Sequence, residues 1–154
     1  MSTMKPQPSY RLHQSLGYQL SLTARVMERG FEESLREIGL SRISWCVLLA
    51  VGVEGLSKPS EIADFIGIDR TATSRALRSM EAEGMIARCC GKRDRRTKRV
   101  SLTARGCELL ETAEPMARRN AARFAQKLTP EERALLTGLL KRLREGEDTP
   151  LPGL

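Results

Sequence analysis

The sequence predicts a mainly α-helical fold of six helices, with a small β-hairpin between the fourth and the fifth. Three observations lead to this prediction. Apolar residues recur at steps of three and four along most of the chain, the spacing of an amphipathic helix. Glycines and capping residues divide that pattern into separate elements. Between residues 85 and 102 the pattern changes to two short alternating segments, as expected of paired strands.

The first three helices are predicted from their boundaries. The first begins near Leu12 and ends at Gly39, a natural C-terminal stop. Its apolar stripe consists of Leu20, Ala24, Met27, Phe31, Leu35 and Ile38. Ser41 can cap a second, strongly apolar helix. A short third helix opens at Pro59, since proline suits the first helical position, and stops at Gly67.

The fourth helix has two different faces. Asp69 is a good N-cap for it, and Gly84 ends it. On a helical wheel the buried stripe consists of Thr73, Leu77 and Met80. The opposite face carries Thr71, Ser74, Arg75 and Arg78. The helix therefore combines an apolar back with a basic, hydroxyl-bearing front.

The hairpin is predicted from two strands, 85–90 and 96–102, around an exposed basic tip at 91–95. Val100 and Leu102 alternate with polar residues, so both should face the core while Arg99 and Ser101 point outward.

Two longer helices complete the predicted fold. Thr103 can cap the fifth, and a capping box that starts at Thr129 opens the sixth. The apolar face of the sixth helix consists of Leu136, Leu139, Leu140 and Leu143. Residues 1–10 and 146–154 are predicted to be flexible ends.

The positive charge is concentrated in one part of the chain. The net charge is +7, and the segment from Arg70 to Arg105 alone carries +8. The excess therefore lies on the fourth helix and the hairpin. A helix of this kind fits the major groove of duplex DNA, where arginine contacts guanine, and a narrow basic tip fits the minor groove. Single-stranded RNA binders need stacking aromatics, but only 4% of this chain is aromatic.

Other classes of protein are disfavoured. The chain lacks an apolar run of the roughly 20 residues that span a membrane, and its N-terminus lacks the features of a signal peptide. His13 is the only histidine, which excludes multi-histidine metal sites and most catalytic triads. We therefore expect a cytoplasmic protein that is not an enzyme, with no cofactor and no membrane partner.

One segment of the sequence resembles a known protein family. The run IADFIGIDRTATSRALRSMEAEGMIARCCGKRDRRTKRVSLTARG (residues 62–106) resembles the winged helix-turn-helix of the MarR family of bacterial transcriptional regulators. The most specific part is the wing motif RDRRTKRVSLT at residues 93–103. The flanking helices match in order and length, so the resemblance covers about residues 10–145. One departure is visible at Gly91 and Lys92, where the family often has Asp-Pro.

The resemblance implies separate dimerisation and DNA-binding regions in the chain. Residues 11–40 and 103–145 would form dimerisation helices, and residues 41–102 the winged helix-turn-helix. A homodimer would then place two recognition helices in successive major grooves of a pseudo-palindromic operator. By the wing motif, Asp94 would orient Arg96 through a salt bridge, so that an arginine at the tip enters the minor groove. The predicted DNA-binding residues are Arg70, Thr71, Ser74, Arg75, Arg78, Arg93, Asp94, Arg95, Arg96 and Lys98.

The resemblance also implies a repressor released by a small-molecule effector. By their position in the family's pocket, His13, Arg42 and Trp45 could line the effector site, with Arg42 pairing an anionic ligand. Two alternatives stay open. Cys89 and Cys90 could form a thiol switch on the same scaffold, because nearby arginines favour thiolates. The chain could also be a non-specific architectural DNA binder.

Overall fold

The computed structural model describes residues 10–90 and 98–154, and these form a mainly helical chain with one hairpin. After a short 3-10 turn at Leu12–Gln14, the helices are α1 (Leu16–Glu37), α2 (Arg42–Gly52), α3 (Pro59–Ile66), α4 (Arg70–Ala82), α5 (Ala104–Ala125) and α6 (Pro130–Arg144). Antiparallel strands β1 (Ile86–Cys90) and β2 (Lys98–Leu102) lie between α4 and α5. The predicted fold class is therefore confirmed.

Four helices begin with a side-chain cap at the position that the sequence predicts. The capping residues are Ser41, Asp69, Thr103 and Thr129. Each side-chain oxygen accepts a hydrogen bond from a backbone N–H in the first turn, where no intrahelical acceptor is available. These helix starts are thus determined locally, by residues at the boundary itself.

The hairpin register joins the two strands to the helical core. Ile86 pairs with Leu102, and Cys90 pairs with Lys98. As predicted, Val100 and Leu102 turn inward, and Val100 is buried. The N–H of Val100 donates to the carbonyl of Ser57 at 2.8 Å, which attaches β2 to the segment before α3.

The core forms around α2, which packs against α3, α4, α5 and β2. Its fully buried side chains include Leu35, Val47, Leu48, Ile62, Leu77, Met80 and Met85. The start of α5 approaches this core very closely. A Cβ on Gly106 would lie 2.1 Å from the carbonyl oxygen of Met85, so only glycine fits there without a shift of the backbone.

The apolar faces of α1 and α6 are only partly covered. On α1, Leu35 is buried and Phe31 half-buried, whereas Val26 and Met27 are exposed. On α6 the exposed apolar side chains are Leu135, Leu136, Leu139 and Leu143. Neither helix resembles a membrane span: within residues 10–90 and 98–154, every helix is too short or too polar to cross a bilayer.

The C-terminal segment makes specific contacts. The sequence predicts a flexible end at residues 146–154. In the structure, Leu151 forms a parallel β-bridge with Ile68, in the turn between α3 and α4. No local pattern in the sequence signals this contact, because the two residues lie 83 positions apart in the chain.

Candidate nucleic-acid interface

Helix α4 presents the two faces that the sequence predicts. Its buried residues are Ala72, Thr73, Leu77 and Met80. On the other side Thr71, Arg75 and Arg78 are exposed, and Ser74 is half-buried beside them. Arg70, in the first turn, is exposed as well. The structure therefore brings the five predicted DNA-binding residues of this helix to one accessible surface.

The helix is held at its start by a cap and by a back-bonded threonine. The Asp69 carboxylate accepts the N–H of Ala72 at 2.6 Å, and the Thr73 hydroxyl donates to the Asp69 carbonyl at 2.9 Å. Helix α3 packs across α4, and the chain turns between them at Gly67 with φ of +81°, a conformation that favours glycine. A tight turn between two packed helices is the arrangement of a helix-turn-helix.

A basic cleft lies between the start of α3, the side of α4 and the hairpin. Its volume is about 440 Å³. Four of the residues that line it carry a positive charge, namely Lys58, Arg70, Arg88 and Lys98. The hydroxyl-bearing residues Ser60 and Ser74 line it too. Cations and hydroxyls are the groups that contact phosphate oxygens of DNA, so the cleft extends the basic face of α4.

Two of these cations, Lys58 and Arg88, were not among the predicted DNA-binding residues. Lys58 lies just before α3 and pairs with Glu61 at 3.0 Å. That hydrogen bond is the main reason why the pKa of Glu61 lies below its usual value. Only the position of α3 against the hairpin places Lys58 at the cleft. A cation followed by Pro59 at a helix start is the sole sequence signal.

Arg88 connects the hairpin to α4. Its Nε donates to Oε2 of Glu81 at 2.7 Å, and its Nη2 contacts the same oxygen. The hydrogen bond from Arg88 is the main cause that lowers the pKa of Glu81 below its usual value. The guanidinium is thereby fixed at the edge of the basic cleft.

The hairpin contributes Lys98 and Arg99, both exposed. Arg99 donates through Nη1 to the hydroxyl of Ser57 at 2.9 Å, so its guanidinium lies beside the start of α3. The predicted tip residues Arg93, Asp94, Arg95 and Arg96 lie outside the described residues, and their roles stay predictions.

The three residues predicted to line an effector pocket have different neighbours. Arg42 is half-buried and pairs with Glu28 at 2.7 Å and with Glu32 at 3.7 Å. It borders an open cleft between α1 and α2 of about 530 Å³. Trp45 is buried, and its ring packs edge-on against Phe31.

The third predicted residue, His13, is exposed and packs edge-on against Tyr18. Of the three, Arg42 is thus the one that the structure places at the α1–α2 cleft. An anionic ligand at that cleft would have to compete with the two carboxylates that already neutralise Arg42.

Cys89 and Cys90 are exposed near the end of β1. Cys89 pairs with Arg99 and Cys90 with Lys98. Successive side chains of a strand point to opposite faces, so the two thiols lie on opposite sides of the hairpin. A disulfide between them would require the strand to distort.

Comparison with known proteins agrees with this arrangement. A sequence model described as the MarR family matches residues 38–97, which include α3, α4 and the first strand. The chain is 31% identical over 127 residues to the HTH-type transcriptional regulator YdgJ of Bacillus subtilis, covering 82% of this chain and 76% of that protein. It is 26% identical over 117 residues to the regulator YwaE of the same organism, covering 76% and 68%.

Solved structures share the fold. The organohalide-sensing regulator RdhR with bound 2,4-dichlorophenol superposes with a TM-score of 0.81 at 20% identity, over 94% of this chain and 88% of that chain. A MarR variant of E. coli in complex with operator DNA gives a TM-score of 0.76 at 23% identity, over 83% and 92%.

Proposed function

The chain belongs to the MarR family of DNA-binding transcriptional regulators, and from this premise we propose that it is a homodimeric, sequence-specific repressor. It would bind a pseudo-palindromic operator and leave it when a small-molecule effector binds. One observation carries the DNA-binding part of the proposal. The exposed face of α4 presents Arg75 and Arg78 next to a cleft lined by four cations.

The chemistry of this surface favours duplex DNA over other polyanions. Arg75 and Arg78 lie on one side of a helix narrow enough for the major groove, where arginine can form two hydrogen bonds to guanine. The cations of the cleft lie to one side of that helix, where they can contact phosphates. Phosphate contacts fix the position of the protein, and base contacts give sequence preference, so this surface offers both.

The homodimer is proposed from the uncovered apolar faces of α1 and α6. Leu135 is 64% exposed and Val26 58% exposed in the single chain. Contiguous apolar side chains at helical spacing are typical of a protein–protein interface. A second copy that packs on these faces would bury them and hold two copies of α4 at a fixed spacing. The dimer could then bind two half-sites that lie one turn of the DNA helix apart.

Selection from a library of random duplexes tests sequence-specific binding. We expect the full-length chain to enrich one short sequence with two inverted half-sites, because a two-fold dimer presents two identical helices. A salt series should then show that the selected duplex binds far more tightly than random duplexes at physiological ionic strength. Enrichment of no common sequence would contradict the proposal and favour the architectural alternative.

Repression and release are tested in a reporter strain. With the selected duplex placed across a promoter, expression should fall when the chain is produced, whereas activation would contradict the proposal. For release we propose that a small aromatic molecule binds the α1–α2 cleft beside Arg42. The probe is 2,4-dichlorophenol, the ligand of the structurally similar RdhR. Release of the duplex from the natural chain but not from Arg42→Ala would support this site. Equal release from both would contradict it.

A further inference from the structure

The segment after α6 folds back onto the turn between α3 and α4 and pairs with it. The N–H of Asp69 donates to the carbonyl of Leu151 at 2.7 Å, and the N–H of Leu151 donates to the carbonyl of Gly67 at 3.3 Å. Between these two hydrogen bonds lies Ile68, which is 2% exposed. The C-terminal segment therefore contacts the three residues that join α3 to α4.

The backbone groups of this turn depend on that contact. The N–H groups of Gly67 and Ile68 both donate to the carbonyl of Ala63, at the end of α3. The carbonyl of Asp69 accepts the N–H of Thr73, inside α4. Of the polar groups that remain, the N–H of Asp69 and the carbonyl of Gly67 are satisfied by Leu151. Without the segment, the turn next to the recognition helix loses two hydrogen-bond partners.

The sequence of the segment suits a bridge of one residue. Leu151 stands between Pro150 and Pro152. Proline has no N–H, so Leu151 is the one donor among the three residues. A residue before proline prefers the extended conformation, which presents its N–H and carbonyl to a neighbouring strand-like segment. The pairing is therefore set in register by the two prolines.

The residues after Leu151 border two cavities beside α2. Pro152 borders a cavity between the start of α2 and the side of α4, together with Arg75. Leu154 borders the α1–α2 cleft next to Arg42. The C-terminal segment thus contacts both the start of the recognition helix and the cleft in which we propose the effector binds.

We propose that residues 150–154 form a C-terminal strap that positions the recognition helix α4. The strap holds the Gly67–Asp69 turn by its two backbone hydrogen bonds and thereby fixes the direction in which α4 leaves the turn. Base contacts carry the sequence preference, so a change in that direction should weaken sequence-specific binding. The inference rests on the proposed function, because its consequence is seen in sequence-specific binding.

Two variants at Leu151, one shortened chain and two measurements test the strap. Leu151→Pro removes the N–H that donates to Gly67. Leu151→Ala is the matched control, because it keeps both backbone hydrogen bonds and removes a side chain that is 59% exposed. A chain that ends at Thr149 removes the whole strap. The first measurement is amide hydrogen exchange at Asp69, and the second is affinity for the selected duplex and for a random duplex.

For the shortened chain we expect exchange at Asp69 to be about five- to tenfold faster than in Leu151→Ala, since one backbone hydrogen bond is lost. Its affinity for the selected duplex should fall by a similar factor while its affinity for random duplex is unchanged. Leu151→Pro should lower the affinity for the selected duplex relative to Leu151→Ala.

Unchanged exchange at Asp69 and unchanged affinity in the shortened chain would overturn the strap and leave the proposed function standing. An equal loss on selected and random duplexes would also overturn it, because that result indicates a general loss of structure. If the natural chain itself prefers no duplex, the proposed function fails, and the exchange measurement still decides whether the strap holds the turn.

Discussion

Arg88 of β1 and Glu81 of α4 form an ion pair that joins the hairpin to α4. Two nitrogens of the guanidinium contact the same carboxylate oxygen, Nε at 2.7 Å. The Arg88 side chain is 18% exposed, so part of its charge is shielded from water. An arginine held in this way restricts how the hairpin can rotate about α4. The two elements proposed to contact DNA are therefore coupled through one pair of side chains.

The ion pair predicts a pH-dependent contribution to stability. Because Arg88 lowers the pKa of Glu81 below its ordinary value of 4.5, the folded state favours the ionised carboxylate. The contribution is complete above pH 4.5 and is lost as the pH falls through the lowered pKa. The difference in melting temperature between the natural chain and Glu81→Gln should thus be constant at neutral pH and shrink below 4.5.

The matched control for this series is Glu83→Gln, because Glu83 accepts a hydrogen bond from the Ser79 hydroxyl and, within residues 10–90 and 98–154, pairs with no arginine. A melting-temperature difference for Glu81→Gln that grows as the pH falls below 4.5 would show that the ion pair is not responsible.

A second prediction is that Gly106→Ala lowers the free energy of unfolding. In Gly106→Ala the new Cβ would overlap the carbonyl oxygen of Met85, which also accepts the N–H of Thr103 at 3.1 Å. The backbone at the junction of hairpin and α5 must shift, at a cost of about 1–3 kcal/mol in the free energy of unfolding. Gly17→Ala is the control, since Gly17 is helical and a Cβ there would make only an ordinary contact, 3.9 Å from the Ser15 hydroxyl. Urea unfolding measures both, and equal stabilities would contradict the close approach.

A substitution at Leu139 tests the proposed dimer. The side chain is 44% exposed on α6 in the single chain, and the proposed dimer would bury it. Leu139→Glu should therefore shift the protein toward monomer in sedimentation at micromolar concentration. Thr137→Glu adds the same charge about 160° around the helix and should leave the dimer intact. A natural chain that sediments as a stable folded monomer would refute the dimer.

Much of the fold is predictable because its boundaries are local. Gly67 ends α3 and Asp69 caps the start of α4, and each acts within a few residues, so both boundaries are found where the sequence predicts them. The two faces of α4 follow from helical spacing alone. The inward positions of Val100 and Leu102 follow from strand alternation. In each case the residues concerned are neighbours in the sequence.

The missed features depend on contacts between distant segments. Glu81 and Arg88 are seven residues apart on different elements, and their pairing depends on how β1 leaves α4. Lys58 reaches the basic cleft because α3 packs beside the hairpin. Trp45 is buried and packs edge-on against Phe31 of α1, a contact that its place on α2 does not predict, and its role at a pocket stays a prediction. Periodicity carries no information on such tertiary neighbours.

Substitutions at Asp94 and Arg96 test whether Asp94 orients Arg96 in the wing. If Asp94 orients Arg96 by a salt bridge, Asp94→Ala should weaken binding to the selected duplex although it raises the positive charge. Charge-assisted hydrogen bonds contribute about 1.5–3 kcal/mol, more than one screened surface charge at physiological salt. Arg96→Ala should weaken binding too, and the double variant should lose less than the sum of both. Tighter binding by Asp94→Ala at about 150 mM salt would contradict the orienting role.

The most direct test of sequence-specific DNA binding is the affinity of Arg75→Ala for the selected duplex and for random duplex. Arg75 lies exposed on the front of α4, so its loss should cost about 1–3 kcal/mol on the selected duplex and relax the preference at one position of each half-site. Arg36→Ala removes the same charge from an exposed position on α1 and should have little effect. Equal losses on selected and random duplexes would show that Arg75 contacts only phosphate, and would contradict base contact by this face of α4.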